Sequence, residues 1–220
     1  MTIAAVLLAG GESRRMGQPK ALLKWGANQT LIEYQIDELR QPPVEKIVVV
    51  LGHEAERIRP LAEKTRCEVV VNELYKRGRA SSLRMGARTL PDDTRAVVIL
   101  DVDQPRPRVV IHRLIESHVR ASNMITVPAF EGQRGHPTVI DGWLLPELRQ
   151  VRERTLGLRG FLERHEADVV EVPFDSEVVL LGMNTPAEYE SAKTKYFSLD
   201  IQGGLRRAEA PRVGPDSAPD

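Results

Sequence analysis

Short apolar runs recur along this chain, and longer stretches with helical spacing separate the early ones. In the early stretches, apolar residues fall on one face of a helix, as at Leu31, Tyr34, Ile36 and Leu39, and again at Val110, Leu114 and Val119. The pattern therefore predicts strands that alternate with helices. The predicted strands are residues 3–8, 46–51, 67–71, 96–101, 124–127, 138–140, 169–172 and 178–181.

Strands that are apolar almost throughout must be covered on both faces, which favours a mostly parallel sheet between helical layers. Right-handed crossovers then give a doubly wound α/β sandwich, with ligands bound at the carboxyl ends of the strands. Glycines and prolines interrupt the pattern after residue 123, where we expect mixed strands and a flap over the substrate. We predict one domain over residues 1–198 and a disordered tail over residues 199–220.

Composition and charge limit the classes of partner. The 220 residues carry no formal net charge, so nothing attracts the whole chain to nucleic acid or to an acidic membrane. The first apolar run is too short to span a membrane and lacks a preceding basic segment, so we expect a cytoplasmic protein. The one cysteine, Cys67, lies in an apolar alternation and is expected to pack as a small hydrophobic side chain.

A glycine-rich stretch with three cations, LAGGESRRMGQPK, follows the first strand at residues 8–20. A strand that enters such a loop is a common device for binding phosphate, because glycines let main-chain N–H groups approach the oxygens. Gly11 and Gly17 lack the spacing and the Gly-Lys-Ser/Thr ending of the ATPase phosphate loop. The adjacent Gly10 and Gly11 do not fit the dinucleotide pattern either. The simplest alternative is a flexible basic turn with solvated arginines.

The remaining order, Leu-Ala-Gly-Gly-x-Ser-x-Arg-Met-Gly with Lys three residues later, resembles the signature of NTP transferases that attach CMP or GMP to the molybdenum cofactor. It is similar, more broadly, to that of nucleotide-sugar pyrophosphorylases. The resemblance implies a three-layer α/β/α, Rossmann-like nucleotidyltransferase fold and a loop around the NTP triphosphate. It also assigns catalytic contacts with the phosphates to Arg15 and Lys20. The nucleotide-binding positions it implies are Leu8, Ala9, Gly10, Gly11, Ser13, Arg15, Met16, Gly17 and Lys20.

Nucleotidyl transfer needs a divalent cation, and the strand at residues 96–101 leads into Asp101-Val102-Asp103-Gln104-Pro105. This stretch resembles the family element whose aspartate binds Mg²⁺, which implies that Asp103 is a catalytic metal ligand. Asp101 departs from the family pattern, which has an apolar or small residue at this position. Strand alternation would place it on the same side as Asp103, where it is a possible further ligand. A turn carboxylate before proline is the alternative for Asp103.

Three further elements complete the expected site. Asn184, in Gly-Met-Asn-Thr-Pro, resembles the second metal ligand, although Thr185 and Pro186 alone predict a helix start. Ser81 and Ser82 resemble base-contacting residues of the family, and helix capping is the equal alternative. The string Arg134-Gly135-His136-Pro137 resembles an element of the cytidylyltransferase branch, which implies that Arg134, Gly135 and His136 bind the acceptor.

Together these elements predict an enzyme that transfers a nucleoside monophosphate to the phosphate of the molybdenum-pterin cofactor, with Mg²⁺ and release of pyrophosphate. Leu-Ala-Gly-Gly resembles the guanylyl branch, whereas Ser-Ser-Leu and Arg-Gly-His-Pro resemble the cytidylyl branch, so CTP is favoured over GTP. A molybdenum hydroxylase-type enzyme would be the partner that receives the product. Two alternatives stay open: transfer to a sugar phosphate or methylerythritol phosphate, and a non-enzymatic chaperone for the pterin cofactor.

Overall fold

The computed structural model describes residues 2–198 of the 220-residue chain. The tail predicted for residues 199–220 lies outside the described residues. Within residues 2–198, the structure contains no helix that is both long and apolar enough to cross a membrane.

Ten strands form in the described residues, and the predicted early strands are confirmed to within one or two residues at each end. They are β1 (Ile3–Ala9), β2 (Lys24–Trp25), β3 (Gln29–Thr30), β4 (Val44–Leu51), β5 (Glu68–Val71), β6 (Ala96–Asp101), β7 (Ile125–Phe130), β8 (Gln133–Arg134), β9 (Thr138–Asp141) and β10 (Val169–Pro173).

Seven α-helices form in the described residues, and both helices indicated above by apolar spacing, near residues 31–39 and 110–119, are present. The first begins with a capping box, in which Thr30 and Glu33 satisfy each other's main-chain N–H groups. The helices are α1 (Leu31–Leu39), α2 (Ala55–Glu63), α3 (Arg79–Thr89), α4 (Arg108–Ala121), α5 (Leu145–Leu148), α6 (Gly157–Arg164) and α7 (Pro186–Ser198).

The central sheet has the strand order β10-β7-β9-β6-β1-β4-β5, and β8 pairs with β7 outside this path. The pairs of β1 with β4 and β6, of β4 with β5, and of β7 with β10 are parallel. β9 runs antiparallel to both of its neighbours, and β8 is antiparallel to β7. The predicted mostly parallel sheet with mixed strands in the second half is therefore confirmed.

Two hydrophobic layers flank the sheet, and alternate residues of β1 point into each. Ala5 and Leu7 pack in the layer that contains α1, α2, α4 and α7, whereas Val6 and Leu8 pack in the layer that contains α3, α5 and α6. Burial of one such Val or Leu side chain contributes about 1.5–3 kcal/mol. This arrangement is a three-layer α/β/α sandwich, as the sequence predicts.

The strand predicted at residues 178–181 is wrong. Residues Glu177–Leu180 form a 3₁₀ helix, whose first turn is capped where the N–H of Val178 donates to Ser176 Oγ. Val178 and Val179 are fully buried beside β7, so their apolar character reflects packing rather than strand pairing. The carbonyl oxygen of Val179 instead accepts from the N–H of His136. The chain therefore reaches Asn184 from a 3₁₀ helix packed beside β7 and not from a strand of the sheet.

Candidate active site

A cavity of about 790 Å³ opens at the carboxyl ends of β1 and β6. These strands are neighbours, and Leu8 pairs with Asp101 at the end of their parallel ladder. The chain leaves β1 into the glycine-rich loop and leaves β6 into the Asp103 turn. The fold therefore brings both motifs to one cavity, at the edge where ligands bind in sheets of this kind.

Hydrogen bonds to Ser13 close the glycine-rich loop. The N–H groups of Met16 and Gly17 donate to the Ser13 carbonyl oxygen at 2.8 and 3.2 Å, and the Lys20 N–H donates to Ser13 Oγ at 3.2 Å. Ser13 has φ 52° and Gly17 has φ 75°, a region that costs a non-glycine residue about 1–2 kcal/mol. The Ser13 contacts therefore hold a strained turn that directs Lys20 toward the cavity.

Lys20 joins the loop to both predicted metal ligands. Its Nζ donates to Asp103 Oδ2 at 2.6 Å and to Asn184 Oδ1 at 3.0 Å. The lysine side chain is 12% exposed and that of Asp103 is 23% exposed, so the pair is largely shielded from water. Three residues from distant parts of the sequence thus converge, and a positive charge already lies between the two oxygens.

The carboxyl group of Asp103 is held in an environment that disfavours ionisation. Burial raises its pKa above the ordinary aspartate value, and the negative charge of Asp101 raises it further. Lys20 opposes both effects through its charge and its hydrogen bond. A cation beside Asp103 therefore favours its ionised form.

The start of α7 holds Asn184 in place. The N–H of Asn184 donates to Glu188 Oε2 at 2.6 Å, and the N–H of Glu188 donates to Thr185 Oγ1 at 3.2 Å. The N–H of Met183 also donates to the carbonyl oxygen of Asp103 at 3.1 Å. The helix start predicted from Thr185 and Pro186 is confirmed, and it anchors Asn184 beside the Asp103 turn.

The donor set at this point fits a hard divalent cation. Asp103 supplies a carboxylate and Asn184 an amide oxygen, both within reach of one ammonium group. The neighbouring Gln104 has a buried Oε1 without a hydrogen-bond partner among the described residues. Residues 2–198 contain no group of three or more His, Cys, Asp and Glu side chains able to hold a metal ion. A cation here would rely on one carboxylate and neutral oxygens.

Asp101, the possible further metal ligand, is engaged by an arginine. Arg79 Nε donates to Asp101 Oδ1 at 2.8 Å and Oδ2 at 3.0 Å, and its Nη2 donates to Oδ2 at 2.6 Å. Both carboxylate oxygens are thereby bound in a two-point ion pair, the strongest kind that a carboxylate makes with a side chain. In this structure Asp101 holds Arg79 at the cavity wall.

The two predicted base-contacting serines have different surroundings. Asn72 Nδ2 donates to Ser81 Oγ at 2.7 Å and to Ser82 Oγ at 3.0 Å. Ser81 Oγ also donates to main-chain oxygens of the preceding turn, whereas Ser82 lines the cavity. Neither residue is the N-cap of α3, since that position is Gly78. Ser82 is therefore the serine placed to meet a ligand.

Arg134, predicted to bind the acceptor, lines the cavity but already has two carboxylate partners. Its Nη1 and Nη2 donate to the two oxygens of Glu166, each at 2.7 Å, and its Nε donates to Glu171 Oε1 at 2.6 Å. These hydrogen bonds raise the pKa of Arg134. An acceptor phosphate would have to compete with both glutamates for this guanidinium.

His136 lines the same cavity in its neutral form. Burial lowers its pKa to about 4, and the positive charge of Arg106 contributes to the shift. Gly135 precedes it where a Cβ would lie 2.2 Å from the carbonyl oxygen of Val179. Only glycine allows this close approach, so the motif fixes the path of the chain before His136.

Three predicted nucleotide-binding residues lie away from the cavity lining. Arg15 is exposed, Gly17 is at the outer turn of the loop, and Met16 is buried in the hydrophobic core. Arg14 is also exposed and forms an ion pair with Glu12. The other predicted residues at the cavity lining are Leu8, Ala9, Gly10, Gly11, Ser13 and Lys20.

Sequence reasoning missed two arginines of the site. Arg79 lies two residues before Ser81, and Asp101, which departs from the family pattern, was the signal for a cationic partner. Arg106 follows the Asp103 turn directly and has no exposed surface. Arg106 lies between Pro105 and Pro107, and no pattern in the sequence there predicts that its charged side chain is buried.

Comparisons with known proteins place this geometry in a family. Residues 5–169 match the MobA-like NTP transferase domain. The chain is 25% identical over 198 residues to the molybdenum cofactor cytidylyltransferase of Escherichia coli, covering 90% of this chain and 98% of the relative. A probable molybdenum cofactor guanylyltransferase of Rhodopirellula baltica is 51% identical over 55 residues, covering 25% of this chain and 26% of the relative.

Two further likenesses extend the comparison. The chain is 32% identical over 171 residues to the nicotine blue oxidoreductase of Paenarthrobacter nicotinovorans, covering 74% of this chain and 82% of the relative. A Mycobacterium tuberculosis protein, solved in complex with manganese, superposes with a TM-score of 0.73 and 25% identity. That superposition covers 88% of this chain and 98% of the other.

Proposed function

Because this chain belongs to the MobA-like NTP transferase family, we propose that it transfers a nucleoside monophosphate from an NTP to the phosphate of the molybdenum-pterin cofactor. CMP is the favoured group and GMP the alternative. The observation that carries the proposal is the convergence of Lys20, Asp103 and Asn184 at the foot of the glycine-rich loop. Such a site provides main-chain donors, a lysine and cation ligands together, which are the groups that a triphosphate requires.

In the proposed reaction, an oxygen of the acceptor phosphate forms a bond to the α-phosphorus of the NTP. The bond from the α-phosphorus to the bridging oxygen of the β-phosphate breaks, and pyrophosphate leaves with the electron pair. No side-chain nucleophile is needed, because catalysis of such transfers rests on positioning and charge stabilisation. Lys20 stabilises the charge that develops on pyrophosphate, and Arg15, exposed on the same loop, adds to it from the solvent side.

We assign Mg²⁺ to the oxygens of Asp103 and Asn184. When bound there, the cation offsets the negative charges of the phosphates. The contacts of Lys20 support this assignment, since its ammonium group already lies on the oxygens of both Asp103 and Asn184. The likeness to a Mycobacterium tuberculosis protein solved with manganese also supports it.

Base and acceptor recognition are assigned to different residues of the cavity lining. We assign Gly10 and Ser82, which line the cavity, to nucleotide binding, and the likeness to a cytidylyltransferase over most of the chain supports CTP. We assign Arg134, Gly135 and His136 to acceptor binding, and of these Arg134 and His136 line the cavity. Neutral His136 can accept or donate one hydrogen bond to the acceptor without adding charge. The product would pass to a molybdenum hydroxylase-type enzyme.

The likeness to a nicotine blue oxidoreductase supports a second candidate, an oxidation–reduction reaction in the same cavity. Pyrophosphate measurement separates the two candidates. The protein is mixed with Mg²⁺ and each of CTP, GTP, ATP and UTP, with and without the molybdenum cofactor. Release that requires both CTP and the cofactor supports the proposal.

Each other outcome of this assay has a defined meaning. Release with a sugar phosphate or methylerythritol phosphate in place of the cofactor would overturn the proposed acceptor. No release with any pair, together with tight binding of the pterin cofactor, would favour a chaperone. No release together with reduction of a redox dye by an added hydride donor, which is oxidised in the same step, would favour the oxidoreductase.

A further inference from the structure

Arg106 carries a positive charge in the interior of the protein with no carboxylate partner. The residue has 0% exposure, and its guanidinium donates only to main-chain carbonyl oxygens. Nε donates to His136 at 2.8 Å, Nη1 to Pro105 at 2.7 Å, and Nη2 to Val179 at 2.7 Å and Leu181 at 2.8 Å. Within residues 2–198 this guanidinium forms no salt bridge.

A buried charge of this kind is costly unless its hydrogen bonds are well made. Burial lowers the pKa of Arg106 to about 9, so the side chain stays protonated at neutral pH. An apolar side chain would fill the same space without the desolvation cost. The four carbonyl contacts are therefore the feature that distinguishes Arg106 from a hydrophobic residue at this position.

Those contacts join the three segments that carry the proposed site. Pro105 belongs to the turn after Asp103, His136 is assigned to acceptor binding, and Val179 and Leu181 precede Asn184. Around Arg106, Gln35 of α1 accepts from its main-chain N–H at 3.2 Å. The contact of Met183 with Asp103 links two of the same segments directly. One guanidinium thus lies at the meeting point of all three.

We propose that Arg106 is a positioning residue that fixes the Asp103 turn, the His136 loop and the segment before Asn184 relative to one another. This inference rests on the proposed function, because it assigns the purpose of that geometry to cation and acceptor binding. The planar guanidinium donates in several fixed directions at once. A lysine at this position keeps the charge but has one nitrogen and no fixed plane, so it cannot reproduce all four contacts.

Arg149 provides a matched control on the other face of the sheet. Its Nε donates to the carbonyl oxygen of Ala87 at 3.1 Å and its Nη2 to that of Leu90 at 2.6 Å. It also forms an ion pair with the exposed Asp92. Arg149 therefore ties main-chain segments together as Arg106 does, but it does not line the cavity or contact its segments.

The experiment compares Arg106→Lys and Arg106→Met with Arg149→Lys and Arg149→Met in the full chain. Amide hydrogen exchange followed by NMR is measured without ligands, and Mn²⁺ binding is measured by EPR with and without CTP. For both Arg106 variants we expect faster exchange at three amides together: those of position 106, His136 and Met183. We also expect Mn²⁺ affinity in the presence of CTP to fall by about 10–100-fold. The Arg149 variants should alter exchange only near residues 87–92 and retain Mn²⁺ affinity.

Two results would overturn the inference: unchanged exchange in the three segments, or an equal loss of Mn²⁺ affinity in the Arg149 variants. Failure of both Arg106 variants to fold, while both Arg149 variants fold, would also overturn it, because Arg106 would then serve the whole fold. If the unmodified protein binds no Mn²⁺ with CTP, and none with GTP measured in the same way, the proposed function fails. The exchange measurement still decides the positioning role in that case.

Discussion

The ammonium group of Lys20 lies within hydrogen-bond distance of Asn184 Oδ1, at 3.0 Å, although 164 residues separate them in the chain. The glycine-rich loop brings the lysine from one direction and the start of α7 brings the asparagine from another. The same ammonium group also donates to Asp103 Oδ2. The contacts among these three residues, and the side chains that line the cavity around them, lead to the predictions below.

Replacement of Lys20 should reduce turnover far more than it affects folding. Lys20→Met removes the charge that stabilises departing pyrophosphate, so we expect kcat to fall by about 100–1000-fold. Pyrophosphate release with CTP and the molybdenum cofactor measures this. Lys24→Met is the control, because Lys24 is exposed on β2. Near-normal turnover in the Lys20 variant would contradict the proposed mechanism.

Asp101 and Asp103 should differ in their effect on metal binding. Arg79 holds both oxygens of Asp101. Asp101→Asn should therefore leave Mn²⁺ affinity in the presence of CTP within about threefold of the unmodified protein, a smaller loss than removal of a group that supports a metal site usually causes. Asp103→Asn removes the one carboxylate from the proposed donor set and should abolish detectable binding. EPR titration measures both. Equal losses in the two variants would show that Asp101 is a ligand.

His136 should make stability depend on pH. Its pKa is about 4 in the folded protein and 6.5 in its unperturbed state, so the unfolded chain binds a proton first as the pH falls. Its contribution is therefore fully present above pH 6.5 and is lost between pH 6.5 and 4. We expect a loss of about 2 kcal/mol in the free energy of unfolding between pH 7.5 and 5.0.

Urea unfolding of the unmodified protein and of His136→Gln at these two pH values measures that contribution. His118 also has a pKa lowered by burial and that of His165 is raised, so only the difference between the two proteins isolates His136. The variant should lose less stability on acidification. An identical loss in both proteins would mean that His136 is not held neutral by the fold.

Gly10 should influence which nucleotide is used. A Cβ at Gly10 would lie 3.3 Å from Ser82 Oγ, on the wall assigned to the base. Gly10→Ala reduces the space for the base beside Ser82, which disfavours the larger guanine. We therefore expect the ratio of kcat/KM for CTP over GTP to rise by about tenfold. Gly11→Ala is the control, because a Cβ there meets no atom within 4 Å. An unchanged ratio would remove Gly10 from base recognition.

The fold followed from the sequence because apolar alternation and helical spacing are local signals. Residues 178–181 misled the same reasoning, since an apolar run is equally consistent with a buried 3₁₀ turn whose carbonyls bind Arg106. Ordered motifs located Lys20, Asp103 and Asn184 at one site. The ion pair of Arg79 with Asp101 could not be derived, because its partners meet only when α3 packs against β1 and β4 and so brings Arg79 to the end of β6. The binding roles of Lys20, Asp103 and Asn184 stay predictions.

The position of Lys20 between two oxygens also has a thermodynamic consequence under the proposed function. A divalent cation that arrives alone must displace a favourable ammonium contact from Asp103 and Asn184. A triphosphate offers Lys20 new oxygens and lowers the cost of that displacement. Cation and nucleotide therefore bind with positive cooperativity, and by reciprocity each tightens the binding of the other by the same factor.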